Sequence, residues 1–373
     1  MKKIAIISST GGGGHVTVTN ALKEVLDPEY NVVVNIMLEE ILAPVDWIQQ
    51  MSFGRSSGEK MYNYLIKRRA YRLLNIMAWI SYYFFSAYSR KIDRLINNYL
   101  EKTKPDIVIS VAPYFNGHLI KATSKKSLPC IVIPTDLDAT TFVQGIGDDI
   151  PLSFITTSFD DLAIWEKTKP SAHLMGFPVK KEFLIHNQDK PQAKKDFNVP
   201  DNKQVILILM GAQGSQSSLD FAQELARMTQ QAHLIFCLGK NETIRTQIEA
   251  ISFPGNISYS CVGFTSRIAD LMAISDCIIT KSGSVSVCEA LYMNLPLILD
   301  ATGPVLKWEQ FNHEFITKHG FGYSLKKLSD LSSMLDQLLA ENKLPSIRKT
   351  IAHYEKKEAI FEIKKLIDFL ASK

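Results

Sequence analysis

The sequence predicts an α/β chain of two Rossmann-like domains, and three observations predict it. A strand at residues 3–7, a glycine loop at 8–15 and a helix at 16–26 make the opening of a doubly wound domain. The same order restarts at 205–210, a strand apolar at every position, as parallel strands buried on both faces are. It runs into Gly211-Ala212-Gln213-Gly214-Ser215-Gln216 and a helix through Leu219, Ala222 and Leu225. Finally, 373 residues exceed what one typical core holds. Two glycine loops, one per half, fit two domains better than one dinucleotide site.

Composition narrows the function classes. A net charge of +4 lacks the strongly basic stripe of a nucleic-acid binder, so no nucleic acid is expected as partner. Cys130, Cys237, Cys261, Cys277 and Cys288 are scattered, mostly in apolar runs, without a CxxC pair or His-rich spacing. That predicts free thiols in a reducing compartment and no metal site. The first residues read as a strand without a signal-peptide pattern, which predicts a cytosolic protein or one on the cytosolic face of a membrane.

Taken in order, the first strand runs into Ser8-Ser9-Thr10-Gly11-Gly12-Gly13-Gly14-His15. Four glycines let a ligand come close to a helix N-terminus. A dinucleotide fingerprint begins this way too. However, the next strand, 32–36, runs into Glu39 and Glu40 with no acidic residue at the ribose distance. His15 reads as a site residue or as a structural cap of the helix. Residues 45–100 set aromatics (Trp47, Phe53, Tyr62, Tyr64, Trp79, Tyr83) beside Lys and Arg. Their apolar run at 73–85 is broken by Asn75 and Ser81 and falls short of the roughly 20 residues of a spanning helix. It reads as a segment lying in a headgroup interface, as core helices packed on the sheet, or as both, one face for each.

Strands follow at 106–110 and 129–133, the latter ending in Pro134-Thr135-Asp136. Polar groups just past a strand's C-terminal end are where α/β sites form. Asp136 reads as a base for an acceptor hydroxyl, or as an N-cap or loop acceptor. Residues 154–158 read as the last strand of this half. Residues 346–373 read as a charged amphipathic helix.

The densest signal lies at 263–290. Ile268, Leu271 and Met272 recur at helical spacing, and Cys277-Ile278-Ile279 is a short buried strand. Lys281-Ser282-Gly283-Ser284 lets a backbone approach a ligand. The helix from Val285 turns its free N–H groups toward that turn, which suits a phosphate or sugar diphosphate. Glu289 can accept from the paired hydroxyls of a ribose.

Gly263, Phe264, Asp276, Thr280, Lys281, Gly283, Glu289 and Ala290, in that order, resemble a known nucleotide-sugar signature. It belongs to the glycosyltransferase family holding the lipid II-forming N-acetylglucosaminyltransferase and the diacylglycerol glycosyltransferases. Ser282, Ser284 and Ser286 replace its usual Pro, Gly and Thr. The first glycine run with His15 resembles the family's GGGH motif, and Thr135-Asp136 its V-T-D element. The loop at 211–216 resembles its G-G-S-Q-G turn, with Ala212 for a Gly. Glu309 and Asn312 match its Q-E-x-x-N element, with Trp308 where Gln stands, so the donor sugar stays open.

The resemblance implies a GT-B fold, two Rossmann-like domains facing across a cleft, set at 1–176 and 177–345 by a match of residues 175–179 to the family's G-x-P hinge, with the helix at 346–373 bracing the first. It implies a UDP-sugar donor substrate and no cofactor. Phe264 would lie near the base, Glu289 on the ribose, and Gly214, Ser215, Lys281, Gly283 and Ser284 near the phosphates. Glu309 and Asn312 would lie at the sugar. His15 and Asp136 would be catalytic. The acceptor would be a membrane lipid hydroxyl, that of diacylglycerol, on a membrane surface that includes anionic lipids. Alternatives are a lipid II-type N-acetylglucosaminyltransferase, a UDP-sugar epimerase, a membrane-docked subunit that binds UDP-sugar without turnover, and a nicotinamide oxidoreductase.

Overall fold

The computed structural model describes residues 1–68, 70–147, 151–159, 172–185, 188–211 and 216–373. The chain divides into two compact units. The first is Met1–Lys181 with Leu306–Trp308 and Lys356–Lys373; the second is Glu182–Val305 with Glu309–Glu355.

The first unit runs β1 (Lys3–Ser8), α1 (Gly14–Leu26), β2 (Asn31–Ile36), α2 (Trp47–Met51), α3 (Gly58–Lys67), α4 (Tyr71–Ala87) and α5 (Ser89–Thr103). It continues with β3 (Ile107–Ser110), α6 (Asn116–Ser124), β4 (Cys130–Val132), α7 (Thr140–Val143), β5 (Ser153–Thr157) and β6 (Ala172–Leu174). The six strands are all parallel, in the order β2-β1-β3-β4-β5-β6. Ile4, Ile6, Val108 and Ile109 are fully buried, as the apolar runs of a sheet covered on both faces require. Val18, Ala21, Leu22 and Leu26 form the buried stripe of α1. The strand expected to be last, at 154–158, is not last. Ala172–Leu174 adds β6 beyond it, through the register Ile155 to Ala172. Three residues are too few to show a period, which is why the sequence hid it.

The second unit holds α8 (Lys190–Asp196), β7 (Gln204–Leu209), α9 (Gln216–Leu225), β8 (Ala232–Gly239), α10 (Glu242–Glu249), β9 (Ile257–Gly263) and α11 (Ile268–Ala273). Then come β10 (Cys277–Thr280), α12 (Ser284–Tyr292), β11 (Leu297–Asp300), α13 (Gln310–Lys318), β12 (Gly322–Leu325), α14 (Leu331–Ala340) and α15 (Leu344–His353). Its sheet is also parallel, in the order β12-β11-β10-β7-β8-β9. The tail expected as one helix is two. After α15 the chain breaks, and α16 (Ala359–Ala371) belongs to the first unit. There the Tyr30 hydroxyl donates to Asp368 at 2.6 Å, and Lys364 reaches Glu29 at 3.0 Å.

Each sheet has a place where strand order reverses, between β1 and β3 in one unit and between β7 and β10 in the other. The loops leaving those neighbouring strands diverge to opposite faces and leave a crevice at their C-terminal ends. Residues 9–13 and 111–115 flank the first crevice; residues 210–211 and 281–283 flank the second.

Candidate functional site

At the first crevice, β1 delivers the glycine loop and β3 delivers Val111. Gly12 takes φ +82°, open to glycine at little cost, and α1 begins two residues on. His15, in the first turn of α1, does not cap the helix. Its Nδ1 lies 2.9 Å from the Val111 carbonyl and 2.7 Å from the Thr135 hydroxyl. A carbonyl can only accept, so the neutral ring carries its proton on Nδ1, which donates there, and keeps a lone pair on Nε2. Burial pushes the imidazole down from 6.5 to about 4, although the Val111 hydrogen bond pulls it up. His15 is therefore neutral at physiological pH.

Asp136 follows Thr135 directly, just beyond β4, and is half-buried. The N-cap reading fails for it. The residue before α7 is Ala139, and it is Asp138 that accepts from the Thr140 backbone N–H at 3.0 Å. Burial and, after it, the Asp136 charge push the Tyr114 phenol up to about 12.

His15 and Asp136 line one cavity of about 150 Å³, with Trp47, Tyr62, Leu74, Met77, Phe85, Phe115 and Trp308 among its walls. Its lining is mostly apolar, with few convergent polar groups, as in a site for a small apolar ligand. Leu74, Met77, Ser81 and Phe85 come from one face of α4. On other faces of the same helix Leu73, Ile76, Trp79, Ile80 and Tyr83 are exposed, Trp79 at 62 %. Sequence reading offered core or surface for this segment; α4 presents apolar side chains to both. In and beside this stretch of sequence Arg55, Lys60, Arg68, Arg72, Arg90 and Lys91 are exposed. Among the described residues no helix is long and apolar enough to cross a membrane.

Trp308 departs from expectation. By motif it sits where a donor-sugar contact stands, yet Leu306–Trp308 packs with the first unit. Its ring stacks on Tyr62 with centroids 6.3 Å apart, and Leu306 joins Leu65 and Leu74.

At the second crevice, Lys281 Nζ lies so near Gly211 that a Cβ added there would come within 3.4 Å of it. Gly211 takes φ +94°, at the entrance of the loop from β7. Gly214 and Ser215 lie outside the described residues. Gly283 is the N-cap of α12 without a side-chain cap, so the first-turn N–H groups of that helix receive no bond from the cap residue. The Ser282 hydroxyl donates to Glu309 Oε2 at 3.0 Å. Fully buried Asn312 donates to the Ser282 carbonyl at 2.5 Å and the Ser284 hydroxyl at 3.1 Å. Its Oδ1 is buried without a hydrogen-bond partner among the described residues. Burial raises the Glu309 carboxyl, while Ser282 and Lys281 pull it back.

The structure thus brings together Lys281, Ser282, Gly283, Ser284, Glu309 and Asn312. Glu289 is buried at the sixth position of α12. Phe264 stands apart at the end of β9, 65 % exposed, with Lys240 Nζ 5.2 Å from its ring centroid. Sequence reasoning missed Glu59 and Asn63, which bind the first glycine loop. Their i, i+4 spacing was visible, but nothing local tied them to a loop some fifty residues earlier.

Residues 205–367 match the glycosyltransferase family 28 C-terminal domain. The chain is 24 % identical to the processive diacylglycerol beta-glucosyltransferase of Bacillus subtilis, over 94 % of this chain and 90 % of that protein. It is 23 % identical to monogalactosyldiacylglycerol synthase 1 of Arabidopsis thaliana, over 97 % of this chain and 70 % of that one. The crystal structure of Acinetobacter baumannii MurG superposes with a TM-score of 0.63 at 14 % identity, covering 100 % of both chains.

Proposed function

We propose that this chain, which has the GT-B fold and whose residues 205–367 match the glycosyltransferase family 28 C-terminal domain, transfers a hexose from a UDP-sugar to the free hydroxyl of diacylglycerol. The observation that carries the lipid acceptor is the apolar cavity whose lining also includes His15 and Asp136. The names of the relatives, diacylglycerol glucosyltransferase and monogalactosyldiacylglycerol synthase, point the same way.

In this reading the acceptor oxygen attacks the anomeric carbon, the bond from that carbon to the UDP oxygen breaks, and the acceptor proton passes to Asp136. The hydroxyl has one proton to give and turns it to Asp136, while His15, neutral and fixed through Nδ1, walls the acceptor in place. The negative charge growing on UDP meets the N-terminus of α12 and the Lys281 ammonium. Gly283 and Ser284 line the diphosphate, Phe264 the base and Glu289 the ribose. Glu309 and Asn312 take the sugar hydroxyls, Asn312 Oδ1, without a partner among the described residues, as an acceptor.

The exposed face of α4, with the basic residues around it, docks on anionic lipid, so the enzyme works peripherally on the cytosolic face of a membrane. Replacing Trp79 and Tyr83 together by serine is expected to weaken flotation with phosphatidylglycerol vesicles by about 10-fold or more, while UDP affinity stays unchanged. Equal flotation of variant and parent would remove α4 as the docking face.

The reading as a whole is tested by UDP release from a panel of UDP-sugars, with and without vesicles containing diacylglycerol. Release that needs both one sugar and the lipid is the expected result. Release driven instead by a polyprenyl-diphosphate sugar acceptor would transfer the assignment to the lipid II type. Donor binding without release under either condition would support a non-catalytic subunit.

A further inference from the structure

We propose that Glu59 and Asn63 are positioning residues, which clasp the Thr10–Gly12 loop from α3 and so hold the approach to His15 in its working shape. The inference rests on the reading of His15 given above. Glu59 and Asn63 are four residues apart, so they project from one face of α3. Asn63 uses both ends of its amide on the loop. Its Nδ2 donates to the Thr10 carbonyl at 2.8 Å, and its Oδ1 accepts from the Gly12 N–H at 2.8 Å. Only a side chain carrying both a donor and an acceptor bridges two backbone groups in this way. Glu59, 5 % exposed, accepts from the Thr10 backbone N–H at 2.5 Å and from the Thr10 hydroxyl. Tyr62, on the same face, lays its ring over the loop, where a Cβ on Gly11 would come within 3.5 Å of it.

Two consequences follow. The N–H groups of Thr10, Gly11 and Gly12 already have acceptors in this chain, namely Glu59, the Ser9 hydroxyl at 3.1 Å and Asn63. This loop therefore differs from a phosphate cradle, whose amides face the ligand. Its function in the first unit is to place His15, three residues after Gly12. Such a loop also needs outside support. Consecutive glycines have many accessible backbone conformations, and Gly12 sits at positive φ. Without the clasp the segment entering α1 would sample several of them, and small displacements of a catalytic group are costly in rate.

The test uses the full chain, with steady-state kinetics on diacylglycerol vesicles, hydrogen exchange of the 8–15 segment and thermal melting. Asn63→Leu is expected to lower kcat by about 10-fold, with donor KM within about 2-fold and little change in Tm. Exchange at the amides of residues 10–12 should speed up by about 10-fold. Asn63→Asp, which keeps only the bond to Gly12, should fall between, and Glu59→Gln should lose less than Glu59→Ala. Unchanged loop exchange in Asn63→Leu would overturn the clasp, as would a kcat loss that merely follows a fall in Tm. Should the parent enzyme fail to use diacylglycerol, the acceptor reading falls, while the exchange comparison still decides the clasp.

Discussion

His15→Ala is expected to lower kcat by about 10²-fold to 10⁴-fold, with the donor KM within about 3-fold. The size follows from geometry. Nδ1 is committed to the Val111 carbonyl, so the ring cannot turn away, and Nε2 stays an acceptor. The sign of the pH dependence follows from burial. With the imidazole lowered from 6.5 to about 4, His15 does not change charge between about pH 5 and 8, and kcat/KM should show no step near 6.5. A step there that vanished in His15→Ala would mean a solvated, ordinary histidine and would sink this account. Stability carries the same signature. The unfolded chain binds a proton at His15 below 6.5, whereas the native chain resists it until about 4. This contribution is therefore complete above 6.5 and lost as pH falls from 6.5 toward 4. Removing His15 should flatten the acid limb in part only, since buried His233 is likewise lowered to about 4.

The two-sheet plan was legible because it rests on local signals. Strands such as Val205–Leu209 are apolar throughout, and a glycine loop follows the first strand of each sheet. The second crevice was legible for the same reason, since Lys281, Ser282, Gly283 and Ser284 are adjacent and Glu309 and Asn312 are three apart. What escaped depends on contacts distant in sequence. Trp308 adjoins Glu309 in the chain, but its stacking on Tyr62 is set by the packing of α3 and α4, not by its neighbours. The break before α16 has no local breaker, since residues 355–358 are Glu-Lys-Lys-Glu, good helix formers. There Tyr354 is held by ring contacts with Phe315, His319 and Phe321, and tertiary packing overrides propensity. The clasp of the first glycine loop is of the same kind: Asn63 and Thr10 are 53 positions apart.

Asp136→Asn should separate proton transfer from positioning more sharply than any other substitution. The amide keeps the carboxylate's volume and can still accept a hydrogen bond, but it cannot take a proton. If Asp136 is the base, kcat should fall by about 10²-fold to 10⁴-fold, with donor binding preserved under the proposal that the donor groups come from the second unit. The fold should survive, since the capping bond at α7 belongs to Asp138 rather than Asp136. The Tyr114 phenol offers an independent check. Asp136 helps to hold it near 12, so removing the charge should lower it, although burial, the larger cause, remains. Suppose Tyr114 responds and turnover stays within about 3-fold of the parent. The charge would then be present at the cavity and unnecessary for the reaction, and the proton would have to leave by another route. With Nδ1 of His15 already protonated, that route would begin at its Nε2, and His15→Ala would then have to account for the whole catalytic loss. Comparing the two single variants with the double variant decides it: a double loss no greater than the larger single one means the two residues act on one proton.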